Sequence, residues 1–384
     1  MPHRLSGVYN NGDLRDLARR RLPRAIFEYV DRGSEDDIAV KANRAALDAL
    51  KIRPRALVDV TKRDQSITLF GKPRKMPVII GPTGGAGLTW LNAELYLARA
   101  AAKAGIPITI ATAATIPMEK IAAEATSGYW QQLYLWHDRA LSHQIVERAN
   151  AAGAEALMLT VDTAVGSNRE HNARNGFSNP FRLTPKIALD ISRHPRWLIN
   201  TMGRYMMNGG MPRFVNYPEG ARQKITGAPI SQSLSPSVSW NDVKELRAMW
   251  PRIFMLKGVM SPDDARRAAD HGVDAIVVSN HGGRQLDTSE ATIDALPDIV
   301  AAVGDRMTVL FDSGVRRGAD VVKALALGAK AVLVGRATLF GAAAAGEPGV
   351  ARALAMLRDE IDRTLALSGC RNFAEVDASL IRRD

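Results

Sequence analysis

Eight short apolar runs, separated by stretches of helical periodicity, constrain this chain more than any other feature of it. They occupy positions 78–80, 106–110, 130–134, 156–161, 253–256, 275–278, 308–311 and 331–334. Most lack strict polar–apolar alternation, as strands do when both faces are buried. Intervening stretches such as 94–103 and 263–271 read as helices. Repeated βα units with continuous apolar strands imply a parallel sheet. Eight of them imply closure into a (β/α)8 TIM barrel rather than an open, doubly wound sheet. The 384 residues, 46% of them hydrophobic, can bury such a core as one large unit.

Special residues follow nearly every run. Pro82-Thr83-Gly84 come after the first, Ala111-Thr112 after the second, and Tyr134 closes the third. Asp162 and Lys257 follow the fourth and fifth, and Asp312-Ser313-Gly314 and Gly335-Arg336 the last two. The sixth is the richest: Ser279-Asn280-His281-Gly282-Gly283-Arg284-Gln285-Leu286-Asp287. It places a base, His281, three residues from a carboxylate binder, Arg284, with glycines between that allow a tight turn. Polar residues at the carboxyl ends of barrel strands form one rim, where such barrels hold their active sites. The plainer alternative is an ordinary loop with a surface histidine.

Gly314-Val315-Arg316-Arg317-Gly318 and Gly335-Arg336 come after the seventh and eighth runs, where barrels bind phosphate through backbone N–H groups and arginine. Two unremarkable turns are the alternative. The glycine-rich Pro82 to Gly87 stretch lacks the order of a dinucleotide or P-loop fingerprint. No metal site is expected, because His281 has no His or Cys at ligand spacing and His137 and His143 stand alone.

The spacing breaks once. About 90 residues separate the fourth and fifth runs, where a crossover needs roughly 30. The excess, about 175–232, mixes Trp197, Met206, Met207 and Phe214 with Arg193, Arg196, Arg204 and Arg213. It reads either as a surface loop or subunit contact, or as a membrane-surface patch over 180–224. Residues 1–70 form no barrel strand and read as a helical cap, with a short helix over 22–30 that carries Tyr29. The expected organisation is a single domain over 1–384, with the barrel over 71–370.

The net charge of +11 points to anionic substrates, phosphate cofactors, acidic lipid or nucleic acid. Nucleic acid fits least, since no helix-turn-helix or zinc-finger spacing and no aromatic-rich basic tail occurs. A lone Cys370 allows no internal disulfide, and no window reaches the roughly 20 apolar residues of a spanning helix. The start of the chain does not read as a signal peptide. The expectation is a cytoplasmic protein, soluble or peripheral on the inner face of the membrane.

From about position 22 to 369 the chain resembles the FMN-dependent α-hydroxy acid oxidase and dehydrogenase family, through the Ser279 to Asp287 motif, Pro82-Thr83-Gly84, Asp312-Ser313-Gly314 and Gly335-Arg336. Within it, the chain looks most like the mandelate dehydrogenases and the flavin-type L-lactate dehydrogenases. The resemblance implies FMN as cofactor and an (S)-2-hydroxy acid as substrate. His281 would be the base, Asp162 its partner, and Arg284 and Arg169 the grip on the substrate carboxylate, with Tyr134 and Tyr29 donating hydrogen bonds. Lys257 would lie at the flavin's pyrimidine edge. Gln132, Thr160 and Ser279 would bond the ring, and Pro82, Thr83 and Gly84 would lie along one face. Asp312 and Ser313 would hold the ribityl chain. Gly314, Val315, Arg316, Gly335 and Arg336 would bind the phosphate. Plainer alternatives stay open: Lys257 and Asp162 as a rim ion pair, Tyr29 and Tyr134 as packing, Arg169 as a surface residue.

Two departures bear on specificity. Many members carry a hydroxyl residue where Ala111 stands, so one flavin hydrogen bond is absent. Glycolate-oxidising members carry alanine at Gly84 and a bulky tryptophan near Ala113; small residues here leave room for an aromatic substrate. The resemblance further implies a homotetramer and transfer of electrons to a membrane quinone, as in members whose insertion shares His194-Pro195-Arg196-Trp197. The alternatives are a soluble oxidase that makes hydrogen peroxide, and a phosphate-binding barrel that is non-catalytic or an isomerase.

Overall fold

The computed structural model describes residues 5–177, 184–218 and 234–382. Eight parallel strands close on themselves: β1 (Val78–Ile80), β2 (Ile108–Ile110), β3 (Tyr129–Leu133), β4 (Ala156–Thr160), β5 (Ile253–Val259), β6 (Ala275–Val278), β7 (Thr308–Phe311) and β8 (Ala331–Val334). Each pairs with its sequence neighbours, and β8 returns to β1 through Val332↔Val78 and Val334↔Ile80. The expected barrel is therefore the observed one. Ile79, Trp130, Met158, Met255, Val277, Leu310 and Leu333 fill its interior, each buried apolar side chain contributing about 1.5–3 kcal/mol. A hairpin, Ile67–Leu69 with Lys72–Arg74, adds Leu69 to this cluster and Phe70 against Trp130, at the end where the strands begin. The opposite rim stays open for chemistry.

Strand limits shift where the sequence gives no punctuation. Tyr134 lies one residue past β3, and β5 runs on through Lys257 with an irregularity between Lys257 and Val259. Lys257 is thus a strand residue rather than a loop residue.

The cap has three helices where one is expected: α1 (Asn11–Arg21), α2 (Arg24–Asp31) and α3 (Ile38–Ala49). The helix expected over 22–30 is α2, which starts after Pro23. The other two hide in polar sequence. α1 buries only Asn11, Leu14, Ala18 and Arg21, behind a capping box of Asn10 and Asp13. α3 buries only Ala39, Asn43 and Leu47. The outer helices are α4 (Ala93–Ala104), α5 (Met118–Glu124) and α6 (Arg139–Ala151). Four short pieces follow β4: α7 (Glu170–Arg174), α8 (Pro185–Ser192), α9 (Pro195–Trp197) and, after a wide turn at Leu198–Gly203, α10 (Arg204–Met207). They belong to the expected insertion, whose 178–183 and 219–233 stretches, including parts of the expected 180–224 patch, lie outside the described residues. The barrel resumes with α11 (Trp240–Met249), α12 (Pro262–Asp270), α13 (Thr292–Val303), α14 (Gly318–Ala326), α15 (Arg336–Ala345) and α16 (Glu347–Ser368). α12 shows why helices start where they do: Ser261 caps it, Pro262 opens it, and Asp263 and Asp264 face its positive end. Among the described residues, no helix is long and apolar enough to cross a membrane.

Candidate active site

His281 sits just past β6 with φ 59°, a left-handed conformation that costs a non-glycine residue energy and clusters at functional sites. Its Nδ1 lies 2.9 Å from Asp162 Oδ1, at the end of β4. A proton on Nδ1 satisfies that bond and leaves Nε2 as an acceptor on the cavity side. Burial pulls the imidazole below its usual range, and this outweighs the raising effect of Asp162. Burial alone would raise Asp162, but the charges of His281 and Lys257 hold it below the usual carboxylate range. The pair requires Gly258, which the sequence reading missed. Gly258 has φ 104°, and a Cβ there would stand 2.6 Å from Asp162 Cβ.

Two arginines line the same cavity as His281. Arg284 Nη1 donates to the carbonyls of Tyr29 (2.6 Å) and Arg32 (3.1 Å), and its guanidinium lies over the Tyr29 ring at 5.1 Å. Arg169 is not a surface residue. Its Nε donates to Ser167 Oγ (2.9 Å) and its Nη2 to the Arg284 carbonyl (3.3 Å). Neither arginine has a carboxylate partner among the described residues, which suits them to an anionic guest. Burial drives Arg284 well below its usual value, a cost that a bound carboxylate relieves. Tyr29 Oη donates to the Gly84 carbonyl (3.2 Å), and burial holds the Tyr134 hydroxyl protonated, as a donor must be. His171, buried and without a hydrogen-bond partner on either ring nitrogen, is pushed by burial down to about 4 and adds no charge here.

The rim beside them is a second polar group. Gln132 accepts from Thr112 N (3.0 Å) and donates to Thr160 Oγ1 (3.0 Å). Lys257 Nζ reaches Ser279 Oγ (3.0 Å) and Asp312 Oδ2 (3.3 Å). Its ion-pair partner is therefore Asp312, not Asp162. Ser313 accepts from Gly282 N (2.9 Å). Among the described residues, the Arg316 side chain donates only to its neighbour's carbonyl (2.8 Å) and has no carboxylate at ion-pair distance, and burial pushes it down to about 9. Arg336 donates to the carbonyls of Val30, Gly282 and Arg32, tying the cap to the His281 loop. Pro82, Thr83, Gly84, Gly314, Val315 and Gly335 complete the wall of one cavity of about 540 Å³.

Comparison with known proteins decides what this cavity belongs to. Residues 18–383 match the family described as FMN-dependent dehydrogenase. The chain belongs to that family. It is 39% identical to (S)-mandelate dehydrogenase of Pseudomonas putida, over 98% of this chain and 94% of that one. It is 38% identical to L-lactate dehydrogenase of Caulobacter vibrioides, over 97% of each. The crystal structure of the monotopic membrane protein (S)-mandelate dehydrogenase superposes with a TM-score of 0.93 at 39% identity, covering 99% of this chain and 100% of that one.

FMN is the cofactor of such a dehydrogenase, and the cavity fits it. Arg316 is a cation with no ion-pair partner among the described residues, beside the Gly314 and Gly335 backbones, which suits a phosphate dianion. The cavity wall also holds Phe177 and Tyr217, which the sequence reading did not single out, and Phe214, which it placed in the surface insertion. Phe177 lies 5.1 Å from Tyr29, and Phe214 stacks on Tyr217 at 5.0 Å. In the same cavity, a Cβ on Gly84 would meet Ala113 at 3.2 Å. The aromatics come from the long insertion, where no periodicity marks a cavity-facing position.

Proposed function

We propose that this FMN-dependent dehydrogenase oxidises an aromatic (S)-2-hydroxy acid of the mandelate class to the 2-oxo acid and passes the electrons to a membrane quinone. The observation that carries this reading is that His281, paired with Asp162, shares one cavity with Arg169 and Arg284 and with the aromatic side chains of Phe177, Phe214 and Tyr217.

The oxidation releases two electrons and two protons; FMN, when bound, would take up the two electrons with one proton. The phosphate would be held by Gly314, Val315, Arg316, Gly335 and Arg336, the ribityl chain by Asp312 and Ser313, and the ring by Gln132, Thr160, Ser279 and the Pro82 to Gly84 backbone. Lys257, next to Ser279 and Asp312, supplies positive charge where negative charge develops. Arg284 and Arg169 bind the substrate carboxylate. Arg284 Nη1 is already fixed to backbone, so the fork is pre-oriented. Tyr134 orients the substrate by a donated hydrogen bond, and Tyr29 would do so by turning its hydroxyl proton away from the Gly84 carbonyl. His281 Nε2 accepts the other proton, with Asp162 steadying the imidazolium that results. Ala113 and Gly84 leave space for the substrate's ring, and the aromatic wall packs against it.

The acceptor assignment rests on the insertion. Leu189, Leu198, Ile199, Met206 and Met207 are exposed on its short helices, beside Arg193, Arg196 and Arg204. Apolar side chains with flanking arginines suit the surface of an anionic bilayer, so the protein is peripheral to a membrane. A homotetramer is proposed as well, on the family resemblance; Leu57 and Val58, exposed between backbone ties at Arg55 and Asp64, offer apolar surface for a subunit contact. Cap, barrel and insertion act in this reading as one catalytic domain.

The test is an anaerobic visible spectrum of the purified protein with (S)-mandelate and, separately, L-lactate. Faster bleaching of the flavin band by mandelate supports the aromatic pocket; the reverse order makes lactate the substrate. Reoxidation by a quinone in vesicles, and not by air, supports the acceptor. A flavin inert to both acids overturns the proposal.

A further inference from the structure

The glycine-rich stretch after β1 covers a buried carboxylate that the catalytic reading does not use. Glu94, in the first turn of α4, is 5% exposed and pairs with no cation among the described residues. Its Oε1 accepts from Gly87 N (3.2 Å), Thr115 N (2.9 Å) and Thr115 Oγ1 (3.0 Å). Gly87 belongs to the loop that brings Pro82, Thr83 and Gly84 to the FMN cavity. Thr115 belongs to the loop that brings Ala111 and Ala113 there. One carboxylate thus fastens two loops that wall the cavity. Burial raises its pKa against the lowering effect of these hydrogen bonds, so the site costs stability and needs its three donors.

The network continues outward. Thr115 Oγ1 lies 3.2 Å from Tyr205 Oη in α10. With the Thr115 proton given to Glu94, Tyr205 is the donor. Gly87 stands between them, and a Cβ there would approach Thr115 Oγ1 to 2.1 Å and Tyr205 Oη to 2.4 Å. Two further ties reach the same loop. Trp197 Nε1 donates to the Leu88 carbonyl (2.7 Å). Arg21 bridges the Thr89 carbonyl (2.6 Å) and Thr201 Oγ1 (2.9 Å). The inner side of the 195–207 segment is therefore bonded directly to the 82–89 loop at Leu88, and reaches it indirectly through Arg21 at Thr89 and through Thr115 and Glu94 at Gly87. Its outer side exposes Ile199 (64%), Met206 (56%) and Met207 (77%).

We propose that Glu94 is a positioning residue that, through Thr115 and Tyr205, locks the FMN-facing loop to the insertion, so that the insertion sets the environment of the flavin as well as a docking surface. Without that contact the loop 82–89 keeps its ties at Leu88 and Thr89 but loses the one at Gly87 nearest the flavin, while His281, Asp162 and the arginines keep theirs. The inference rests on the placement of FMN along residues 82–84, and not on the membrane.

The test uses FMN-loaded wild-type, Tyr205→Phe, Glu94→Gln and Glu94→Leu proteins. Sulfite adds reversibly to flavins, and its affinity, read from the flavin spectrum, reports the ring's surroundings. Tyr205→Phe is expected to change sulfite Kd by about 2- to 30-fold and to speed amide exchange in 81–90, with strand peptides unchanged. Glu94→Gln, which keeps an acceptor for the two N–H groups, should be milder than Glu94→Leu. If Glu94→Leu does not fold, Tyr205→Phe still decides. Unchanged sulfite affinity and unchanged exchange in Tyr205→Phe overturn the inference. If FMN gives wild-type residues 81–90 no protection from exchange, the placement of the flavin fails, and the inference with it.

Discussion

His281 is held by its surroundings on every side: a left-handed backbone, the Ser279 hydroxyl on its N–H, and Asp162 on its Nδ1. A base fixed in this way loses little entropy when it accepts a proton. His281→Gln is expected to retain the yellow flavin spectrum and to lose turnover by about 10²- to 10⁴-fold; near-normal turnover would remove His281 from its role. The pH dependence has a definite sign. The neutral imidazole is the active form, and burial lowers its pKa. Activity measured as kcat/KM should therefore rise with pH and level off, with its midpoint below the usual value of about 6.5. Asp162→Asn removes the raising effect, so the midpoint should move lower still while the plateau falls. A limb centred above neutrality contradicts the assignment. At this scale the sequence was most legible where a reactive side chain directly ends an apolar run, as Asp162 and His281 do. It was least legible where a residue matters by having no side chain. Nothing in the chain marks Gly258, because the clash it avoids is with Asp162, nearly one hundred positions away.

Elements differ in how openly they announce themselves. Barrel strands are buried on both faces and so form continuous apolar runs, which is why all eight were readable. α1 and α3 bury narrow stripes that include Asn11, Arg21 and Asn43, so no apolar run betrays them. The insertion has no repeating period, and its aromatics reach the cavity by tertiary packing alone. Gly258 acts at this scale, since it lets β5 bulge between Lys257 and Val259. Gly258→Ala should strain the bulge and push Asp162 from His281, destabilising the protein by about 1–3 kcal/mol and lowering kcat more than it raises KM. Thermal melts with steady-state kinetics would check it, and equal kinetics to wild type would show the bulge to be irrelevant to catalysis. For the insertion, replacing Ile199, Met206 and Met207 together by serine should weaken sedimentation with anionic vesicles. Turnover with a soluble dye acceptor should persist, because these three side chains point away from the cavity loop's ties. Undiminished sedimentation would place the membrane contact elsewhere.

Across the whole molecule, cofactor binding and stability pull on the same side chains. Arg336 ties the cap to the barrel through three carbonyls, and Arg284 joins the same cap backbone at Tyr29 and Arg32. The cap is thus fastened over a rim crowded with cations, in a chain that carries +11 overall. Arg316 is the weak point of that rim, being lowered by burial and by the neighbouring charges of Arg336 and Arg44, with no ion-pair partner among the described residues. A cation in that position opposes folding until an anion arrives. Binding at 100 times Kd contributes about 2.7 kcal/mol, so stripping FMN should lower the melting midpoint by several degrees. Arg316→Met separates the two effects. It removes the uncompensated charge while keeping an apolar stem, so the apo form should gain on the order of 1 kcal/mol and melt higher than wild-type apo protein. The same change should weaken FMN binding, so that the interval between apo and holo midpoints shrinks. Paired melts of both proteins with and without FMN would measure it. If Arg316→Met lowers the apo midpoint and leaves FMN affinity intact, Arg316 is a packing residue and the phosphate lies elsewhere on the rim.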